Sequence, residues 1–307
     1  MSRAVSELSG ILLMDKPQGF TSHDVVAKLR GILHTKRIGH GGTLDPLATG
    51  VLPVFIGGAT RAADFAAAQD KAYIAGFTLG YSTDTQDTTG QTLESSGRYA
   101  ARGAVEQALG RFAGAQRQLP PMYSAVKVGG RKLYELARKG REVERPARDI
   151  TVHEIALLDF DEDAQKGTLR LVVSKGTYVR TLINDLGEAL GTLAVMHSLV
   201  RTRAGAYTLD RCHTLEQVER AAQEETVRQL LLPVDGLFAA HPAVTLTDEG
   251  MARAARGAVV FPRMAANMPA DEGALCRVYH RGAFVMLGQV RALEIGGLGL
   301  FVYKNFR

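Results

Sequence analysis

The amino-acid sequence predicts an α+β protein in two parts, a mixed α/β body over residues 1–240 and a small β-barrel domain over residues 241–307. A chain of 307 residues can hold about two domains of roughly 150 residues each. Apolar patterns of strand type and of helix type alternate through the body. From about His241 the pattern becomes β-rich, which marks the boundary of the second part.

The body begins with a strand and a capped helix. Ile11–Asp15 is a short apolar run that ends at the turn Lys16-Pro17-Gln18-Gly19. Thr21 or Ser22 can cap the next helix, whose apolar side consists of Val25, Val26, Leu29 and Leu33. Later patterns predict strands over 51–56, 73–79 and 169–173, a turn over 84–90, and helices over 60–68, 104–112, 180–190 (capped by Gly191) and 214–231.

The second part combines a short helix with several strands. The helix is predicted near 248–256, and strands over 275–279, 283–290 and 298–303. Gly282 and Gly296-Gly297 supply the turns between them. A small barrel follows from strands this short and this closely spaced.

Composition excludes several classes of protein. The run Ile11-Leu12-Leu13-Met14 is too short for a signal peptide or a membrane span. Cys212 and Cys276 are the two cysteines and have no CxxC spacing, so we expect neither a disulfide framework nor a zinc site, and a cytoplasmic location.

The net charge of +5 is concentrated in one segment. Residues 127–148 contain eight basic and three acidic side chains, and the rest of the chain is balanced. Such a segment suggests a polyanion partner, because basic side chains that neutralise phosphates release condensed counterions. A solvated helix face would explain the same charges.

The loop Gly39–Gly50 contains the strongest candidate for chemistry. Three glycines within four positions suit unusual backbone angles or close packing against a ligand. Asp45 precedes Pro46, which favours an extended backbone and a carboxylate on a rigid turn. The alternative is a turn aspartate that bonds its own backbone.

Familiar site types do not fit this loop. It lacks the Lys-Ser/Thr ending of a phosphate-binding loop, and the chain has no GxSxG nucleophile turn, no calcium loop and no HExxH spacing. Arg180, after a glycine-containing turn, and Tyr73, at the start of a strand, are further candidates. The pattern at Arg180 fits a surface arginine equally well, and a strand tyrosine is more often part of the core than functional. From residues alone, the chain is a polyanion-binding α/β protein with a candidate catalytic aspartate and no evident cofactor or metal.

Six short sequence motifs, which follow one another in a characteristic order along the chain, extend this interpretation because they resemble those of a known family. The segment Gly39–Gly50, GHGGTLDPLATG, closely resembles the active-site motif of the TruB family of tRNA pseudouridine-55 synthases. The other blocks of that family are LMDKPQG at 13–19, DKAY at 70–73, TDTQDTTG at 83–90, PPMYSAVK at 120–127 and SKGTYVRT at 174–181.

The resemblance implies a pseudouridine synthase fold, with a mixed, largely antiparallel sheet flanked by helices. It also implies that residues 1–240 are catalytic, that residues about 120–148 form a thumb-like insertion gripping the T arm of tRNA, and that residues 241–307 form a PUA-like RNA-binding domain. Arg138 and Arg141 lie in that insertion.

The resemblance also assigns a reaction. Asp45 would be the essential carboxylate in isomerising uridine-55, Arg180 its ion-pair partner, and Tyr73 the ring that stacks on the base. The released base is itself the second reactant, so no cofactor is expected. The sequence leaves open whether Asp45 attacks C1′ or assists elimination to a glycal.

Further residues are assigned to nucleotide binding by resemblance. His40 would occupy the space of flipped nucleotides, and Lys16, Tyr178 and Leu199 would line the pocket. The chain departs from the family at two positions. Gly41 stands where many relatives carry threonine, and Val200 stands where an arginine is common, which removes one expected phosphate contact.

Two other interpretations fit part of the sequence. A non-catalytic tRNA-binding chaperone would keep the basic insertion but would not need Asp45, Tyr73 and Arg180 together. An enzyme guided by a separate RNA and protein partners is disfavoured by the basic insertion, so we expect a monomer that needs no protein partner and no membrane. A synthase for another RNA site is also compatible with the sequence.

Overall fold

The computed structural model describes residues 8–294 and 296–306. The first seven residues of the predicted body, and Ile295 and Arg307 of the predicted second domain, therefore lie outside the described residues. Within the described ranges, no helix is long and apolar enough to cross a membrane.

The strands of the body form one large sheet and two small hairpins. In chain order they are β1 Gly10–Lys16, β2 Ile38–His40, β3 Thr49–Ile56, β4 Lys71–Leu79, β5 Tyr81–Thr83, β6 Thr92–Ser95, β7 Gly114–Gln118, β8 Lys127–Val128, β9 Arg131–Lys132, β10 Arg148–Asp161, β11 Lys166–Val173, β12 Ala194–Ala204 and β13 Tyr207–Thr208. The large sheet has the order β1-β3-β12-β4-β11-β10-β7, with β2 beside β3 and β13 beside β12.

The pairing in this sheet confirms the predicted mixed, largely antiparallel architecture. Among the described strands of the large sheet, only β12 and β3 pair in parallel, through Val200 with Thr49 and Arg201 with Gly50. The parallel contact lies where the loop before β3 meets β12. It therefore brings β12 directly against the glycine-rich segment that carries Asp45.

Seven α-helices accompany the sheets in the described part of the chain. They are α1 Ser22–Ile32, α2 Ala63–Ala67, α3 Arg102–Leu109, α4 Leu133–Ala137, α5 Val179–Leu190, α6 Leu215–Gln223 and α7 Asp248–Ala255. Thr21 caps α1 through a reciprocal pair of hydrogen bonds with Asp24, as its sequence predicts. Gly191 ends α5 with φ of +68°, which confirms its predicted role as the cap.

One predicted helix is wrong in its middle. The pattern over 214–231 predicts a continuous helix, but α6 ends at Gln223 and the chain resumes only as a 3-10 turn over Val227–Leu230. Glu225 has φ of +57°, which interrupts the run of helical hydrogen bonds.

The second part of the chain is a curled half-barrel sheet, consistent with the predicted small barrel. Its strands are β14 Ala243–Leu246, β15 Ala265–Ala266, β16 Leu275–His280, β17 Ala283–Ala292 and β18 Leu298–Asn305, in the order β15-β14-β16-β17-β18. Reciprocal backbone hydrogen bonds of 2.9 Å between Val260 and Leu300 tie the segment before β15 to the far edge. Phe284 of β17 and Phe306, which follows β18, both pack against Phe238 of the body.

The basic segment lies between two strands at one edge of the large sheet. It contains the β8–β9 hairpin and the five-residue helix α4, and then irregular chain up to β10. Arg138 and Arg141 are exposed in the irregular part. Most of these charges therefore lie outside any helix, so a solvated helix face does not account for them.

Candidate active site

The loop that carries Asp45 is held rigidly between β2 and β3. The Ser22 hydroxyl accepts a hydrogen bond from the Leu44 backbone N–H at 2.8 Å, and the Pro46 carbonyl accepts one from Gly19 at 2.8 Å. Gly50 has φ of +97°, and a Cβ there would lie 2.3 Å from the backbone oxygen of Arg201. The loop can approach β12 this closely only with glycine at position 50.

Gly41 is explained by packing. A Cβ built at this position lies 2.8 Å from both Ala66 Cβ and Phe55 Cε2. Any larger side chain at Gly41 would require these neighbours to move. In this chain the departure from threonine therefore accompanies close packing of the loop on α2 and β3.

Arg201 on β12 holds the loop through its buried side chain. This residue was not identified as a candidate from the sequence. Its side chain is only 1% exposed. The guanidinium donates to the carbonyls of Val51 at 2.6 Å, and of Thr43 and Gly42 at 3.4 Å each. A buried guanidinium with these acceptors fixes the backbone on both sides of Asp45.

Asp45 and Arg180 form a direct ion pair. Arg180 lies in the first turn of α5, its side chain is 4% exposed, and its Nε atom is 2.9 Å from Asp45 Oδ2. The two terminal nitrogens donate to the carbonyls of Thr85 at 2.8 Å and Tyr123 at 2.9 Å. The guanidinium is therefore fixed in orientation as well as in charge.

A second carboxylate shares this arginine. Asp87 is buried, and its Oδ2 is 3.6 Å from Arg180 Nη1. Asp87 Oδ1 accepts hydrogen bonds from the Thr85 hydroxyl at 2.8 Å and from the Thr89 backbone at 2.9 Å. The sequence predicts only a turn over 84–90, so the contact of Asp87 with Arg180 was missed.

Electrostatics at Asp45 reflect opposing effects. Burial raises the pKa of Asp45 above its ordinary value and is the largest effect, whereas the positive charge of Arg180 lowers it and the negative charge of Asp87 raises it further. The carboxylate is not sealed, because 35% of the side chain is exposed. Arg180 is thus the main group that favours the ionised form.

The Asp45 carboxylate faces a cavity of about 230 Å³. Tyr73 on β4 pairs with Arg201 on β12, and Leu199 is two residues before Arg201, so all three side chains lie on one face of neighbouring strands. Tyr178 precedes α5, where its backbone exchanges two hydrogen bonds with the Gln118 side chain. The cavity brings together the predicted residues Asp45, Tyr73, Tyr178, Arg180 and Leu199.

The other predicted nucleotide-binding residues lie outside the lining of this cavity. Lys16 is fully buried, and its amine donates to the carbonyls of Pro17 at 2.9 Å and Phe20 at 2.6 Å. It borders a separate cleft of about 330 Å³, and burial lowers its pKa to about 8. Its amine is held by these carbonyls, and the charge of Asp45 acts on it by raising its pKa, so a role for Lys16 in binding the nucleotide stays a prediction.

His40 is not among the residues that line the cavity, although the charge of the lining residue Arg201 acts on its ring. It ends β2, opposite Val54 of β3, and it is half-buried. Burial lowers the pKa of His40, which favours a neutral ring. Arg138 and Arg141 lie on the surface of the basic segment.

Comparisons with known proteins agree with this arrangement. Residues 30–179 match the TruB family pseudouridylate synthase N-terminal domain, and residues 180–239 match the tRNA pseudouridylate synthase B C-terminal domain. The tRNA pseudouridine synthase B of Bacillus anthracis is 46% identical over 79% of this chain and 81% of its own length. That of Bacillus velezensis is 43% identical over 86% and 87%.

Solved structures show the same fold. A chain from a Cbf5-Nop10-Gar1 complex superimposes with a TM-score of 0.73 and 28% identity, over 97% of this chain and 85% of that one. A chain from an archaeal box H/ACA Nop10-Cbf5 complex gives 0.70 and 26%, over 97% and 86%. Sequence identity over most of the chain, the matched domains and the shared fold lead to one conclusion: this chain belongs to the TruB family of pseudouridylate synthases.

Proposed function

We propose that this chain converts uridine-55 in the T loop of tRNA to pseudouridine. One observation supports this most strongly, the Asp45 carboxylate held by Arg180 at 2.9 Å and facing a cavity lined by Tyr73 and Tyr178. The relatives named tRNA pseudouridine synthase B suggest tRNA as the substrate.

Asp45 is the catalytic carboxylate in this proposal. The N1–C1′ bond breaks, the uracil turns within the cavity, and a C5–C1′ bond forms; the proton lost from C5 is balanced by one that N1 takes up. Asp45 can attack C1′ directly or assist elimination to a glycal, and both routes need its ionised form. The ion pair with Arg180 favours that form against the effect of burial, and it orients the carboxylate.

Tyr73 and the other cavity residues hold the base during this exchange. The phenol ring of Tyr73 is buried on the face shared with Leu199, which suits stacking on a flipped uracil and help in removing the C5 proton. Tyr178 closes the side next to α5. The target uridine must leave the T loop to enter, and we propose that His40 fills space that flipped nucleotides vacate.

The parts outside the cavity bind the RNA. The basic insertion 120–148 would grip the T arm through Arg138 and Arg141, which are exposed in a segment whose basic side chains outnumber its acidic ones. Residues 1–240 would form the catalytic domain and 241–307 a PUA-like RNA-binding domain. Because the insertion belongs to the chain itself, we propose a monomer that needs no protein partner. We further propose that the protein is cytoplasmic and that the reaction uses no cofactor.

Tritium release tests the proposal. A tRNA transcript carrying tritium at C5 of its uridines should release one tritium per molecule, and a transcript with cytidine at position 55 should release none. Release from both transcripts would indicate another target uridine. Tight binding of tRNA without release would instead support the non-catalytic chaperone.

A further inference from the structure

Ser124 places a buried hydroxyl beside the cavity. The residue is 5% exposed and belongs to the cavity lining, and it lies at the base of the basic insertion. Its Oγ is buried and finds no partner of hydrogen-bonding geometry among residues 8–294 and 296–306. The Tyr178 phenol is its close neighbour: burial raises the pKa of Tyr178 most and a side-chain hydrogen bond with Ser124 lowers it, although the contact between the two hydroxyls lacks the geometry of a full hydrogen bond.

Ser174 provides the contrast within the same cavity. Its Oγ accepts a hydrogen bond from the Thr151 backbone N–H at 2.8 Å, so its hydroxyl already has a partner in the fold. An unpaired buried hydroxyl is unfavourable, and such groups in native proteins usually have a partner. With only the poorly aligned Tyr178 phenol beside it, the Ser124 hydroxyl is free to turn towards a ligand in the cavity.

The backbone at this position is fixed from two sides. The Ser124 carbonyl accepts a hydrogen bond from the backbone N–H of Tyr134 in α4, at 3.1 Å. The preceding carbonyl, that of Tyr123, accepts from Arg180 at 2.9 Å. Ser124 thus joins the basic insertion to the arginine that pairs with Asp45, and its single side-chain torsion lets the hydroxyl turn without moving the chain.

We propose that Ser124 is a substrate-positioning residue whose hydroxyl bonds a polar oxygen of the flipped nucleotide. This inference rests on the proposed function, because it takes the occupant of the cavity to be a uridine. Two oxygens have the required chemistry, the ribose 2′-hydroxyl and the uracil 4-carbonyl. Either bond would couple the docking of the insertion on the RNA to the placement of the nucleotide at Asp45.

A binding cycle tests this proposal. Dissociation constants are measured in an Asp45→Asn background, which prevents turnover, for tRNAs with uridine, 2′-deoxyuridine or 4-thiouridine at position 55. Ser124→Ala should weaken binding of the uridine tRNA by about 2- to 10-fold. That loss should disappear with the one analogue that lacks the bonded oxygen, which identifies the oxygen.

Ser174→Ala is the matched control, because it removes a hydroxyl of the same cavity that is already bonded. Any loss that it causes should be the same for all three tRNAs. An equal loss for Ser124→Ala on all three, or no loss at all, would overturn the proposal. Wild-type protein is assayed for tritium release in parallel, so failure of the proposed reaction is seen separately from failure of the Ser124 contact.

Discussion

Replacement of Arg180 by methionine should raise the pKa of Asp45 and shift the activity to higher pH. The guanidinium lies 2.9 Å from Asp45 and 3.6 Å from Asp87, so its removal leaves two carboxylates near each other without their shared cation. At an effective dielectric of about 20, the gross attraction at 2.9 Å is about 6 kcal/mol, much of which desolvation offsets. Breaking a fully buried pair costs about 3–5 kcal/mol of folding free energy, and the partial exposure of Asp45 to solvent makes the cost here smaller.

The sign of the pH effect follows from the direction of the pKa change. The positive charge of Arg180 lowers the pKa of Asp45, so without it the carboxylate protonates at higher pH. Arg180→Met should therefore lose activity by about 100-fold or more at neutral pH, and the acid limb of its rate profile should move to higher pH.

Single-turnover rates across a pH series measure this shift. Arg180→Lys is the matched control, because it keeps a positive charge but gives up the hydrogen bonds to the carbonyls of Thr85 and Tyr123. Its rate should fall while its acid limb stays nearer to that of the wild type. An acid limb of Arg180→Met at the wild-type pH, or at lower pH, in protein shown to be folded by circular dichroism, would refute the assignment.

Two further predictions concern the second carboxylate and the insertion. Asp87→Asn should lower the free energy of unfolding by about 1–3 kcal/mol in denaturant titrations and slow the reaction, because Arg180 is then less firmly anchored. Unchanged stability and an unchanged rate would show that Asp87 does not help to hold Arg180. Charge reversal at Arg138 and Arg141 should reduce the slope of log affinity for tRNA against log salt by about one for each phosphate that the protein no longer neutralises. Charge reversal at Arg102 on α3 is the control and should leave this slope unchanged. Equal slopes for all the variants and the wild type would show that the insertion is not part of the tRNA-binding surface.

Local patterns predicted much of the fold. The cap at Thr21, the end of α5 at Gly191 and the strands of the half-barrel follow from short-range backbone preferences, so a single sequence suffices for them. The rigid placement of Asp45 was also predicted, because Pro46 restricts the preceding backbone. Its proximity to Arg180 came from resemblance alone, since the two residues are far apart in the chain.

Other features depend on tertiary contacts. Strand β12 has no simple apolar pattern, because Arg201 occupies an inward position that usually holds an apolar side chain. Arg201 can be buried because its guanidinium donates hydrogen bonds to the backbone carbonyls of Gly42, Thr43 and Val51 in the folded chain. The partner of Asp87 is likewise supplied by a distant helix, so neither interaction can be predicted from spacing.

The most direct test of the account is tritium release by Asp45→Asn protein. With C5-labelled tRNA, wild-type protein should release one tritium per molecule, and Asp45→Asn should release none while its affinity for tRNA is retained. Asp70→Asn is the control, because Asp70 is a half-exposed carboxylate that pairs with His153 at 3.2 Å; it should behave as the wild type. Release that survives in Asp45→Asn would contradict the central claim, since the bond exchange would then depend on another group.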